Sequence, residues 1–249
     1  MDLNITPLVL SLYQFPISHY CEKIRWALDH KQLDYRVVNL LPGFHVPTAK
    51  KLARRSCLPI LTHDDKTVQN SSDIISYLDE TFPEHPLTPI DAEQKRDALD
   101  WEKFADKEIG PYARHVCYHT LLEYPATVVP FLTVNGPWYG PWMIRAMFPV
   151  LRRKMRKLMN INEASTQVAQ QHLTHTINKM YEHLQGKMYL VGNQFSRADL
   201  AVASLLAPLC RPAGYGLDWP PSYPEPLAQF IEGRSDGLAW VNFLYEQHR

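Results

Sequence analysis

Ser18 stands three residues before Cys21, at a joint where the apolar run Leu8-Val9-Leu10-Ser11-Leu12 passes through Pro16 and gives way to the helical spacing of Ile24, Ala27 and Leu28. A serine there caps the coming helix, and Glu22 one turn in suits the positive end of its dipole. The same joint aims a hydroxyl and free backbone N–H groups at one point, where an anion such as a thiolate can be held. A second joint of this kind follows in Val68-Gln69-Asn70-Ser71-Ser72-Asp73-Ile74-Ile75-Ser76-Tyr77-Leu78. Ser71 or Ser72 reads as its N-cap, and a carboxylate could sit on the N–H groups and the Ser71 hydroxyl.

The elements that must position these residues follow from pattern. Asp34 to Leu40 reads as a strand bounded by Pro42-Gly43, and two strands joined by a helix form a parallel pair with a right-handed crossover. A short helix is expected after Pro47, carrying Lys50, Lys51 and Leu52, and then a strand over Ser56 to Thr62. Pro59 lacks the ladder donor, so it is either an edge residue or a cis-proline at a functional turn. A hairpin from Pro59 to Thr62, through an Asp64-Asp65 turn to Thr67-Gln69, completes a small α/β unit over residues 1–82.

The proline-dense stretch 83–91 reads as a stiff linker, and residues 92–249 as an all-helical domain. Ala98, Trp101, Phe104, Ala105 and Ile109 keep helical spacing up to a stop or bend at Gly110-Pro111. A long helix is expected over about 164–184, and Ser196 with Asp199 forms a capping box for the next. The tail from Pro208 to Pro226 reads as a surface loop, followed by short helices at Leu227–Ile231 and Leu238–Tyr245.

With 249 residues, 45% of them hydrophobic and 21% charged, the chain has the composition of an ordinary globular protein. Lys plus Arg and Asp plus Glu both number 26, so no overall charge calls for a nucleic-acid partner. Cys21, Cys57, Cys117 and Cys210 are widely spaced, which favours neither a zinc site nor a disulfide framework, and a reducing, cytoplasmic setting fits. The first residues show no signal peptide. Residues 124–162 contain no Asp or Glu, and they carry Arg145, Arg152, Arg153, Lys154, Arg156 and Lys157 together with Trp138, Tyr139 and Trp142. A membrane span needs about 20 uninterrupted apolar residues, and Asn135-Gly136-Pro137 and Arg145 break the run. We read the segment as a helical excursion over the cleft with a solvated basic face; the alternative is an interfacial helix facing anionic lipid.

Ser18-x-x-Cys21 with Lys23-x-Arg25, Leu58-Pro59-Ile60-Leu61, Asn70-Ser71 before Tyr77-Leu78, and Gly192-x-x-Phe195-Ser196-x-Ala198-Asp199 occur in the order found in the glutathione S-transferase superfamily. The chain resembles its serine-type, bacterial-like or theta-like branches. The resemblance implies a thioredoxin-like N-terminal domain, an all-α C-terminal domain, glutathione as co-substrate without a metal, and a homodimer. Ser18 takes the thiolate-stabilising place, and Gln14 the place where tyrosine-type relatives keep their Tyr. Leu58 before Pro59 would pair with the cysteinyl backbone of glutathione, and Asn70 and Ser71 would hold its γ-glutamyl end. Cys57 stands where many relatives have Lys, so His45 or Lys50 would meet the glycyl carboxylate. Tyr112, His115 and Tyr118 would line the pocket for a small hydrophobic electrophile, implying detoxification chemistry. Two other readings stay open: a glutaredoxin-like thiol exchange at Cys21, and a non-catalytic binding or scaffold protein, membrane-associated through the basic segment.

Overall fold

The computed structural model describes residues 10–249; Leu8 and Val9 of the expected opening strand lie outside the described residues. The first half runs β1 (Leu10–Gln14), α1 (His19–His30), β2 (Tyr35–Asn39), α2 (His45–Leu52), β3 (Ile60–His63), β4 (Lys66–Gln69) and α3 (Ser71–Thr81). The strands form one sheet in the order β2-β1-β3-β4, with β1 and β2 parallel and the other neighbours antiparallel. This is the thioredoxin-like arrangement expected. In β1, Leu10, Leu12 and Gln14 point to the buried face and Ser11 and Tyr13 to the other, as a period of two requires.

Three boundaries differ from expectation. β3 begins at Ile60, not Ser56, because the residues before Pro59 leave the ladder. Helix α2 begins at His45, two residues ahead of Pro47. Asn70, not Ser71 or Ser72, occupies the N-cap of α3, and its side chain makes no capping bond.

The second half is helical: α4 (Ala92–Phe104), α5 (Gly110–Leu121), α6 (Pro125–Thr133), α7 (Gly140–Leu158), α8 (Glu163–His183), α9 (Arg197–Cys210), α10 (Leu227–Glu232) and α11 (Ser235–His248). Gly110-Pro111 does not stop the helix; a π-helical segment, Ala105–Ile109, joins α4 to α5, and Pro111 falls in the first turn of α5, where no N–H is needed. Helix α9 is the spine of the domain, with every residue from Arg197 to Ala207 buried. Its start carries the expected capping box, Ser196 and Asp199 each bonding the other's backbone end.

The two halves are joined through buried charge. Lys23 of α1 lies 2.8 Å from Glu102 and 2.9 Å from Asp106, and Arg197 of α9 lies 2.6 Å from the same Glu102. Arg197 also donates to Thr88, Ser76 and the carbonyl of Ser72. Since Lys23, Glu102 and Arg197 are almost fully removed from water, their mutual attraction offsets the cost of burying each charge. Trp26, fully buried on the next turn of α1, stacks on Phe195 and donates to the carbonyl of His248.

Candidate active site

The strand register decides which residues meet. Gln14 ends β1 opposite Asn39 at the end of β2, Tyr13 pairs with Ile60 at the start of β3, and Ile60 pairs with Gln69 at the end of β4. The segments that leave this one edge of the sheet are therefore 15–18, 40–45, 58–59 and 70–71. They carry Ser18, His45, Leu58-Pro59 and Asn70-Ser71. Helices α1 and α3 both begin here, so two sets of unpaired N–H groups open on the same edge.

Ser18 is the N-cap of α1, and its Oγ accepts from the Cys21 N–H at 3.4 Å. That bond uses a lone pair and leaves the hydroxyl proton free to donate. The loop is fixed from behind. Arg25, buried, donates to Gln14 at 2.6 Å, to Glu22 at 2.8 Å and to the carbonyls of Pro16 and Tyr215. The Tyr215 hydroxyl donates to the carbonyl of Ile17 at 2.8 Å. Gln14 completes the frame by donating to Asn39. Cys21 is fully buried, and burial pushes its thiol pKa up. A buried, protonated thiol is a poor nucleophile.

The Leu58-Pro59 peptide bond is cis. The Gln69 side chain ties down the preceding loop: its Nε2 donates to the carbonyls of Arg55 and Cys57, each at 2.8 Å, and its Oε1 accepts from the Arg55 N–H. Asn70 has φ +94°, a region that disfavours most side chains, and its amide donates to Asp73. The Ser72 hydroxyl is committed to Asp106 and Lys23, which leaves Ser71, 2% exposed, as the hydroxyl available at this helix start.

On the α2 side His45 packs edge-on against Phe15, with ring centroids 4.7 Å apart. Its Nδ1 accepts from the Gly43 N–H, so the ring proton sits on Nε2, and partial burial lowers its pKa. Lys50, one turn on, is exposed.

The three residues expected at the electrophile pocket divide. Tyr118 lines a small hollow beside α1, together with Ile17, His19, Arg114, Phe131 and Trp219. Tyr112 stacks on His172, and His115 binds Thr166 at 3.1 Å; both line a groove of about 390 Å³ against α8. His19 begins α1 directly after the Ser18 cap. It is 4% exposed, with no partner for its Nε2 among the described residues, and burial and the nearby Arg114 lower its pKa to about 3. The tail is likewise no surface loop: Pro208 lies within α9, and Tyr215, Leu217 and Tyr223 are buried. The density of Tyr and Trp in 215–223 was the signal for that packing, since such side chains bury large areas.

Two family models match the chain: "Glutathione S-transferase, N-terminal domain" over residues 12–86, and "Glutathione S-transferase, C-terminal domain" over residues 142–225. Glutathione S-transferase 1 of Dianthus caryophyllus is 42% identical over 96 residues, covering 37% of this chain and 42% of that protein. The chain thus aligns with about two fifths of that relative's length. Glutathione S-transferase TCHQD of Arabidopsis thaliana is 25% identical over 210 residues, covering 80% of this chain and 77% of that protein. Among solved structures, the glutathione transferase URE2P6 from Phanerochaete chrysosporium, in complex with oxidized glutathione, superposes with a TM-score of 0.66 at 16% identity, covering 97% of this chain and 92% of that one. A glutathione S-transferase from Methylobacillus flagellatus with glutathione bound superposes with a TM-score of 0.61 at 18% identity, covering 96% and 98%. At these identities the structural likeness shows the shared fold.

Proposed function

Since the chain belongs to the glutathione S-transferase superfamily, we propose that it is a glutathione-dependent transferase that joins the thiolate of glutathione to a small hydrophobic electrophile. The observation that carries this reading is the gathering of Ser18, Leu58-Pro59 and Asn70-Ser71 at one sheet edge under two helix N-termini. Glutathione is mostly main chain and charge, and this edge offers main-chain groups and anion-binding helix ends. Leu58 presents its backbone to the cysteinyl unit, and the α3 start with Ser71 takes the γ-glutamyl carboxylate. The Asn70 side chain reaches the same end. His45, neutral at pH 7, offers its Nε2–H to the glycyl end, and Lys50 supplies the positive charge.

A free cysteine thiol has a pKa near ~8.5 and is mostly protonated at neutral pH. The Ser18 hydroxyl donates to the sulfur while the α1 dipole favours its negative charge. The thiol proton passes to solvent, and the sulfur lone pair forms the new bond to the electrophilic carbon. The displaced pair leaves with the leaving group or moves to the acceptor atom of the electrophile. The hollow beside His19 and Tyr118 measures about 30 Å³, so a substrate ring enters by displacing part of the Trp219–Tyr223 tail. Burial holds Tyr118 protonated, its pKa raised to about 12, which makes it a hydrogen-bond donor to a polar group on the substrate. Homodimeric assembly, a detoxifying role and a cytoplasmic location accompany this proposal.

Calorimetry tests it. The wild-type protein should bind glutathione in the micromolar to millimolar range, and Ser71→Ala should weaken binding about tenfold, the loss of one hydrogen bond to a carboxylate. Absence of binding by the wild type would refute the proposal.

A further inference from the structure

The inner side of the α6–α7 hairpin packs on the rest of the molecule. Leu41 packs where the chain turns into α7 at Gly140, Asn39 donates to the carbonyl of Asn135 at 3.0 Å, and Phe131 packs on Trp219. On α7, Gly140, Ile144 and Phe148 are buried and mark the inward face. The opposite face repeats at helical spacing as Trp142, Ala146, Pro149, Val150, Arg153 and Lys157, all exposed. Over the 16 residues from Trp142 to Lys157 this face is about 22 Å long, at a rise of ~1.5 Å for each step between residues.

Its composition is unusual for a solvated surface. Trp142 is 78% exposed, and Trp138 just before the helix is 87% exposed. Trp142 and Arg145 form one wall of a groove of about 340 Å³ whose other wall is Pro125, Ala126, Val129 and Pro130 of α6. Of the basic residues, Arg152 and Arg156 are paired with Glu123. Arg145, Arg153, Lys154 and Lys157 remain exposed, in a segment from 124 to 162 that has no carboxylate to offset them. Among the described residues no helix is long and apolar enough to cross a membrane.

We propose that the outer face of this hairpin docks on the surface of an anionic phospholipid bilayer. The two tryptophans and the apolar groove enter the headgroup layer, and Arg145, Arg153 and Lys157 meet lipid phosphates. Three features select a bilayer over a protein partner: indole side chains suited to the interfacial layer, cations without interspersed carboxylates, and exposed apolar residues, Trp142 and Val150, on the outer face beside those cations.

Vesicle flotation with the full chain tests this. Wild-type protein should float with vesicles of phosphatidylcholine mixed with phosphatidylglycerol, far less with phosphatidylcholine alone, and less as salt rises. Arg153→Glu/Lys157→Glu should lower partitioning at least about twentyfold, since each cation near an anionic surface is worth about a fivefold factor. Trp138→Ala/Trp142→Ala should reduce it too, and wild-type tryptophan emission should shift to the blue on binding. Lys187→Glu, an exposed charge change elsewhere, should bind as wild type does. No flotation, or flotation unchanged in both double variants, overturns the proposal. So does self-association lost in the tryptophan variant without vesicle binding, because the face would then join two copies of the chain.

Discussion

Arg197→Met should loosen the seam that sets the angle of α1, and with it the position of Ser18. Arg197 is 2% exposed and reaches Glu102 through Nε at 2.7 Å and Nη2 at 2.6 Å. It also binds Thr88 at 3.0 Å, the carbonyl of Ser72 at 3.0 Å and Ser76 at 3.1 Å. The cluster is balanced, with Lys23 and Arg197 against Glu102 and Asp106. Methionine fills much of the volume but leaves a buried negative excess and several polar groups without a donor. Breaking a buried pair from one side costs about 3–5 kcal/mol. For a chain of this size that is a fall in melting temperature of roughly 10 °C. Urea denaturation and thermal melts of Arg197→Met, Glu102→Leu and the double variant measure it. The double variant, which keeps Lys23 with Asp106, should be at least about 1 kcal/mol more stable than additive losses require. A loss below about 1 kcal/mol in Arg197→Met, or strict additivity, would refute the claim that this network clamps the two halves together.

Two other perturbations have defined outcomes. His19 has a native pKa of about 3 against about 6.5 in an unfolded chain, so between these values the unfolded state binds the extra proton. Its contribution to stability is complete above pH 6.5 and falls as pH drops, by about 1.4 kcal/mol per unit. From pH 7 to 5 the wild type should lose about 2 kcal/mol more than His19→Phe, and parallel profiles in urea titrations would contradict the burial of a neutral imidazole. Cys21→Ala should keep transferase turnover within about twofold, and native Cys21 should resist thiol reagents, because its sulfur is buried and protonated. Rapid labelling at Cys21 together with lost activity would favour thiol exchange instead.

Much of the frame was legible in the sequence, because β1, α1 and the capping box at Ser196 are specified by local periodicity and by residues that cap their own helices. The cis bond before Pro59 and the register that gathers the sheet edge also agree with what the motifs imply. Long-range partners were not legible. Nothing near Gln69 in the sequence signals that its amide binds residues 55 and 57, and Arg25 gives no local sign of reaching Gln14 and Tyr215. Tyr112 and His115 show how helical spacing can mislead: they share a face with each other, but that face meets α8 while Tyr118 turns toward α1. The tail departs from the expected surface loop because Pro and Gly suggest exposure, whereas Tyr215 and Tyr223 bury against the loop before α1 and against α9.

Stabilisation of the glutathione thiolate by the Ser18 hydroxyl is tested by the pKa of bound glutathione in wild-type and Ser18→Ala protein, read by ultraviolet thiolate absorbance beside turnover. A hydrogen bond to a charged group is worth about 1.5–3 kcal/mol, so Ser18→Ala should raise that pKa by about one to two units and cut turnover about tenfold to a hundredfold. Calorimetric affinity for glutathione should change by less than about threefold, and the lost helix cap should cost only about 1 kcal/mol of stability. An unchanged thiol pKa with unchanged turnover would contradict the assignment of Ser18.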